Sequence, residues 1–282
     1  MKLKKGAEIF VPDDIPEEQA IRRTTHMGIA AHQDDLEVMA YDGILKCFME
    51  DKKWFLGVVV TDGSGSPRSG PYRNYSNDKM ETIRKLEQRK AAFIGEYGAV
   101  VQLNFKSSEV KNPEDNNIIE SIKNLIITAK PEIVYTHNLA DKHETHVAVG
   151  LKVIQAIREI PRAAHPKKIY GCEVWRGLDW LVDGNKIKLD VSLNPNIACS
   201  LLGVFDSQIS GGKRYDRATI GRRIANATFG ETHKTDEATN IIYAMDLMPL
   251  IDDISLDITK YILNFINNFR DDVIDRIKSL SN

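Results

Sequence analysis

Residues 25–37 read THMGIAAHQDDLE. The apolar run Thr25–His32 has the length of a strand and no polar–apolar alternation, the pattern of a strand buried on both faces. It runs directly into His32-Gln33-Asp34-Asp35. Helical spacing then takes over, with Val38, Met39, Ile44, Leu45 and Phe48 within Leu36–Glu50. A second unbroken apolar run, WFLGVVVT, occupies 54–61. Strand, reactive turn, helix and strand make one βαβ unit of a parallel sheet.

The same rhythm continues outward. Asp62–Asn77 is a Gly/Ser/Pro-rich loop, and Lys79–Tyr97 is a helix with Gly95 and Gly98 as stop signals. Strand Val100–Phe105, helix Asn117–Ala129, strand Glu132–His137, helix His143–Ile160 and strand Lys168–Val174 follow. The expectation is a doubly wound, mostly parallel, Rossmann-like α/β sheet over about 25–175, preceded by an irregular leader over 1–24. Residues 176–282 read as an elaboration of the same domain. It starts with a hairpin, Leu181–Ser192, turning at Asp183-Gly184-Asn185. Helices follow around Ile197–Gln208, Arg214–Ala227 and Leu256–Leu280. The stripe Ile258, Ile262, Phe265, Phe269, Ile274 and Ile277 on the last helix reads as core packing, with a subunit interface of a homo-oligomer as the second reading.

Composition narrows the function classes. The 282 residues carry 38 basic and 40 acidic side chains, a net charge of −2, which argues against a broad nucleic-acid footprint. No apolar run approaches the roughly 18 residues of a membrane span. The opening MKLKKGAEIFVPDD is basic but lacks the apolar stretch of a signal peptide. The three cysteines, Cys47, Cys172 and Cys199, are far apart and form no CxxC, which excludes a disulfide framework and a cysteine-rich zinc site. A reducing, cytoplasmic setting is the natural expectation.

Reactive side chains collect past two strand ends, where open α/β sheets bind ligands. The first strand ends in His32, Asp34 and Asp35, and the fourth in His137, Asp141, His143 and His146. His143 and His146 are three residues apart at a helix start and share a face. His32 and Asp35 are three apart across a turn and can converge on one ion. Two imidazoles and one carboxylate leave an open position on Zn²⁺, and the same set suits Fe²⁺ or Mn²⁺. Asp34 is then the carboxylate left over as general base. The plainer readings are an N-cap and first-turn acid for Asp34 and Asp35, and a helix cap for His143. His143-Glu144-Thr145-His146 is HExH, with histidines at i,i+3, and therefore not the HExxH zincin motif.

Ala31-His32-Gln33-Asp34-Asp35-Leu36-Glu37 resembles the AHPDDxE motif of the PIG-L/LmbE-like deacetylases, which remove acetyl groups from N-acetylglucosaminyl substrates. Thr61-Asp62-Gly63-Ser64-Gly65 resembles the TDGxxG loop of that family, and Arg84 to Glu87 its RxxE helix. Thr136-His137-Asn138 with Asp141, His143 and His146 resembles its THN…DxHPDH segment. Asp190-Val191-Ser192 and Ser207-Gln208 resemble its later DIS and SQ elements. The resemblance implies zinc held by His32, Asp35 and His146, with Asp34 as general base and His143 as general acid or oxyanion-stabilising cation. It also implies that Arg84 grips the substrate, an N-acetylated amino sugar or its conjugate. Gln33 stands where the motif has Pro, and Glu144-Thr145 replaces Pro-Asp.

Around that set, the 62–77 loop with Arg68 reads as a lid or specificity loop in contact with substrate. His137 and Asp141 read as residues that orient the ligands. Trp175, Arg176 and Trp180 read as a sugar-stacking wall or as packing. The alternatives are an amidase acting on another sugar or thiol conjugate, and a member that binds sugar or metal without turnover. A nucleotide-binding sheet is disfavoured because its first strand lacks a glycine-rich turn.

Overall fold

The computed structural model describes residues 1–281. Among them, eight strands form one sheet: β1 (Glu8–Phe10), β2 (His26–Ala30), β3 (Phe55–Thr61), β4 (Ala99–Phe105), β5 (Ile133–His137), β6 (Lys168–Cys172), β7 (Ile187–Asp190) and β8 (Ile241–Asp246). The order across the sheet is β1-β4-β3-β2-β5-β6-β8-β7. Strands β4, β3, β2, β5 and β6 are mutually parallel. Antiparallel neighbours close both edges, β1 on β4 and β8 on β6.

The unbroken apolar runs account for the centre. Every residue of β2 and β3 is buried, because helices cover both faces of the sheet. One face packs Ile29, Val58, Val101 and Ile122, and the other packs Leu36, Phe55, Tyr97 and Tyr135. Two glycines fix how the first helix sits. A Cβ on Gly28 would stand 2.7 Å from Leu36 Cδ2, and one on Gly57 2.8 Å from Leu36 Cδ1. Leu36 therefore beds directly on the backbones of β2 and β3 and anchors the turn that carries Asp34 and Asp35. Leu36→Ala at this fully buried position would cost about 2–5 kcal/mol.

The chain winds outward from β2 through β3 to β4, then returns to lay β5 on the other side of β2. The order of strands reverses between β2 and β5, and the carboxyl ends of these two strands border the crevice where such sheets bind ligands.

Four sequence expectations change. The leader supplies the edge strand β1 and a short helix, Glu17–Arg22. The helix expected over Leu36–Glu50 is two, Asp35–Met39 and Tyr41–Cys47, broken at Ala40. The C-terminal antiparallel pair is not a hairpin over Leu181–Ser192: β7 pairs instead with β8, and Asp183–Asn185 is a single 3₁₀ turn. The helix Ile258–Leu280 is present, and its stripe divides: Ile258, Ile262 and Phe265 pack against the core, whereas Phe269, Ile274 and Ile277 are exposed.

Candidate metal centre and catalytic site

Ala30 ends β2, and the next turn directs three side chains at one point. His32 Nδ1 lies 3.1 Å from Asp35 Oδ2 and 3.2 Å from His146 Nε2. Asp35 Oδ2 lies 3.3 Å from the same His146 nitrogen. Three donors at about 2.0–2.1 Å on a tetrahedral centre stand about 3.3–3.4 Å apart. The triangle thus has the dimensions that three donors to one small divalent ion would need, and the two imidazoles and the carboxylate are the donor types such an ion takes.

Two overlapping groups of donors are close enough to share an ion: His32, His143 and His146, and Asp35, His137 and His146. Hydrogen bonding separates ligands from supports. His137 Nε2 accepts the Ala31 N–H at 2.8 Å, so that lone pair is taken. The His137 ring stacks on His146 with centroids 4.0 Å apart and fixes its plane. His143 Nδ1 accepts the Thr145 N–H at 3.3 Å, which leaves the proton of the neutral ring on Nε2. His32 and His146 remain with free ring nitrogens, and Asp35 Oδ2, which accepts the His32 N–H at 2.8 Å, keeps a second lone pair beside them.

Asp141 organises the second strand end. Its Oδ1 accepts the His143 N–H at 2.9 Å, and its Oδ2 accepts the N–H groups of Trp175 and Arg176 at 3.0 and 3.3 Å. The same Oδ1 stands 3.6 Å from His146 Nδ1, an ionic contact too long for a hydrogen bond. The helix Glu144–Glu159 comes close to β5 because Gly150 has no side chain; a Cβ there would stand 2.9 Å from His137 O. This close approach brings His146 to the cluster.

Burial and neighbouring charge compete in the cluster. Burial works against the charged form of His146, but the carboxylates of Asp35 and Asp141 outweigh it and hold the ring up at about 9. Burial likewise opposes ionised Asp35, and His146 with His32 overcomes it, leaving that carboxyl well below its usual range. The two carboxylates and the imidazoles thus each favour the other's charged form. His143 differs: burial and the neighbouring His146 and His32 push it down to about 4, which favours its neutral form.

Asp34 is held apart from its neighbour. Its backbone is in the left-handed region, φ 89° and ψ −30°, a strained conformation for a residue with a side chain. The buried Arg84 guanidinium supports it, donating to Gln33 O and standing 3.3 Å from Asp34 Oδ1. Burial pushes the Asp34 carboxyl up to about 8; Arg84 opposes this, while Asp35 and Glu37 add to it. Gln33 is turned inward, its Nε2 donating to Thr61 O and Gln102 Oε1, both at 3.2 Å. The departure from Pro therefore ties the reactive turn to β3 and β4.

Not every expected residue reaches the site. Arg84, expected to grip the substrate, is buried and donates to Gln33 O and to Ser66, with Asp34 Oδ1 at 3.3 Å. Arg68 donates to Asn77 Oδ1 at 2.6 Å and to Ser64 O, bracing its own loop. Trp180 packs on Phe269 of the last helix, 6.4 Å between centroids, whereas the Trp175 ring stands 6.1 Å from His143. Tyr215, to which the sequence assigned nothing, packs edge-on against Trp175 at 6.1 Å. Glu37 is also new: fully buried, it accepts from Gln88 Nε2 at 2.8 Å and Tyr97 OH at 2.7 Å, and burial raises it to about 7. Its place in the reactive stretch was the available signal.

The PIG-L family model, described as GlcNAc-PI de-N-acetylase, matches residues 27–157, the span that contains every member of the cluster. No curated protein matches the chain. Solved structures share the fold at low identity. The 4-carboxy-2-hydroxymuconate hydratase GalB from Pseudomonas putida KT2440 has TM-score 0.63 at 14% identity, covering 79% of this chain and 96% of its own. The N,N'-diacetylchitobiose deacetylase from Pyrococcus horikoshii has TM-score 0.62 at 13% identity, covering 82% and 86%. The A40926 pseudoaglycone deacetylase Dbv21 has TM-score 0.57 at 16% identity, covering 79% and 97%.

Proposed function

We propose, from the premise that residues 27–157 of this chain are a PIG-L family domain, that it is a metal-dependent hydrolase releasing acetate from an N-acetylated amino sugar or its conjugate. The observation that carries the reading is the triangle of His32, Asp35 and His146, 3.1–3.3 Å on each side, with Asp34 beside it and uninvolved in it. The deacetylases among the structural neighbours favour this reaction; the hydratase among them shows that the fold alone does not choose it.

His32, Asp35 and His146 would hold the ion, with zinc as the first choice and Fe²⁺ or Mn²⁺ compatible with the same donors. When bound, the ion supplies Lewis-acid polarisation of the acetamide carbonyl and of the attacking water. Asp34 accepts the proton from that water as its oxygen adds to the carbonyl carbon. Its raised proton affinity matches it to this task near neutral pH. The neutral His143 presents Nε2–H to the carbonyl oxygen as negative charge builds there, a contribution of about 3–4 kcal/mol for one well-placed donor. The C–N bond then breaks, Asp34 returns its proton to the leaving amine, and acetate and a free amine result.

Trp175 and Tyr215 form an aromatic wall beside His143 on which a sugar ring would stack. Among the described residues no helix is long and apolar enough to cross a membrane. The free thiols of Cys47, Cys172 and Cys199 accord with action in the cytoplasm. The test is acetate release across N-acetyl sugars and their conjugates by metal-loaded protein. Release of acetate from at least one N-acetylhexosamine conjugate is expected. Cleavage of a different amide alone would support the amidase alternative, and sugar binding without product would support a non-catalytic member.

A further inference from the structure

Val191, just past β7, and Asn240, just before β8, meet the helices Pro195–Gly203 and Tyr215–Thr228 around a cavity of about 140 Å³. That is well above the roughly 10–15 Å³ that one water needs. Val191, Ala198, Ile220 and Ile224 give it apolar walls. Arg223 is the one charged residue that lines it, and only 2% of that residue is exposed.

Part of the Arg223 guanidinium has a structural task. Its Nη2 donates to Glu37 O at 2.7 Å and to Val38 O at 3.2 Å, carbonyls of the last turn of the helix Asp35–Met39. Such carbonyls have no partner within their own helix. The guanidinium carbon also lies 4.7 Å from the centre of the Tyr41 ring, whose face favours a cation. Nε and Nη1 are different: neither has a hydrogen-bond acceptor among the described residues. The acceptors that the group does have are neutral backbone carbonyls, and burial pushes its pKa down to about 10. A buried cation without a counter-charge is costly to the fold, and an anion in the adjoining cavity relieves that cost.

The walls select the kind of anion. An inorganic anion would set its charge against aliphatic side chains and lose its hydration there. A carboxylate with a short hydrocarbon tail places charge on the free N–H groups and carbon on the walls. The volume limits that tail to a few carbons.

We propose that this cavity is a binding site for a short-chain monocarboxylate, held by the unpartnered N–H groups of Arg223. Every residue that lines it lies beyond the matched family span, so the proposal stands or falls independently of the deacetylase reading.

Cys199 lines the same cavity and is exposed, whereas Cys47 and Cys172 are buried, so its thiol reports on occupancy. The experiment is the rate of Cys199 alkylation by N-ethylmaleimide in the full-length protein, at constant ionic strength, with butyrate, 1-butanol or inorganic phosphate added. Saturating butyrate should slow labelling by about 10-fold or more, with a hyperbolic dependence on concentration. The uncharged 1-butanol and phosphate should protect far less. Arg223→Gln should lose the protection. Asn240→Asp, nearly isosteric and nearer the surface, supplies a carboxylate from the protein itself; it should also lose the protection and keeps the test decisive where Arg223→Gln does not fold. Labelling that butyrate leaves unchanged overturns the proposal. Equal protection by 1-butanol would mean an apolar cavity in which the guanidinium plays no part. Protection by phosphate without butyrate would mean an inorganic anion site. Either result overturns the proposal, as does full protection of Asn240→Asp.

Discussion

The Arg84 guanidinium stands 3.3 Å from the Asp34 carboxylate and is itself almost entirely buried. Under the proposed mechanism this pairing makes Arg84 part of the support of the base. Its positive charge lowers the proton affinity that burial has raised. Arg84→Gln should move the alkaline-rising limb of the pH–rate profile to higher pH and reduce kcat at pH 7 by about 10-fold or more. A substrate-gripping residue would instead raise KM and leave the profile where it is, so steady-state kinetics across pH 5–9 separates the two roles.

Asp34→Asn should leave the metal bound and lower turnover by about 10²–10⁴-fold, the usual contribution of a positioned general base. The same change should not destabilise the metal-free protein at alkaline pH. Folded Asp34 titrates at about 8 instead of 3.8, so the folded state binds more protons than the unfolded chain between those values. Stability attributable to this carboxyl therefore falls as pH rises from about 4 to 8. Asn carries no such penalty. A thermal melt at pH 8 should show Asp34→Asn at least as stable as the wild type; a fall of several degrees would contradict the assignment.

His146 gives a second pH dependence of the same sign. In metal-free protein its folded value is about 9 against an ordinary 6.5. The stability contributed by its proton is complete below about pH 6.5 and disappears as pH rises through about 9. Metal and proton compete for the same nitrogen, so the loaded protein should lack this decline. Melting curves from pH 6 to 9.5, with and without chelator, should diverge as pH rises. Parallel curves would show that nothing binds there.

Trp175→Ala should raise KM for a sugar substrate by roughly 2- to 12-fold, the equivalent of about 0.5–1.5 kcal/mol for one aromatic contact, with a smaller effect on kcat. Tyr215→Ala should behave alike, because Trp175 and Tyr215 pack against each other. An unchanged KM in both variants would remove the aromatic wall from the substrate path.

The parallel half of the sheet was legible because β2 and β3 are continuous apolar runs with no competing period, and each reactive cluster directly follows such a run. β1 was not, since three partly buried residues beside Pro12 carry too little pattern. β8 was hidden for a different reason. Its partner β7 lies some fifty residues earlier, and the local turn signal Asp183-Gly184-Asn185 pointed to a nearer one. At the site, residue types pointed to the side chains that the structure brings together, but roles that depend on what a side chain touches did not follow. Arg84 and Arg68 look alike in a string of letters. One lies buried against Asp34 and the other braces its own loop. Tyr215 comes from the elaboration, and no local signal connects it to Trp175.

The central claim is tested most directly by the metal content of gently purified wild type, His32→Ala and His146→Ala, measured by elemental analysis beside circular dichroism. The wild type should hold close to one divalent ion per chain, and each variant should lose most of it while remaining folded. A wild type that takes up no ion when zinc, iron or manganese is supplied, or variants that retain the full equivalent, would contradict a metal centre at these residues.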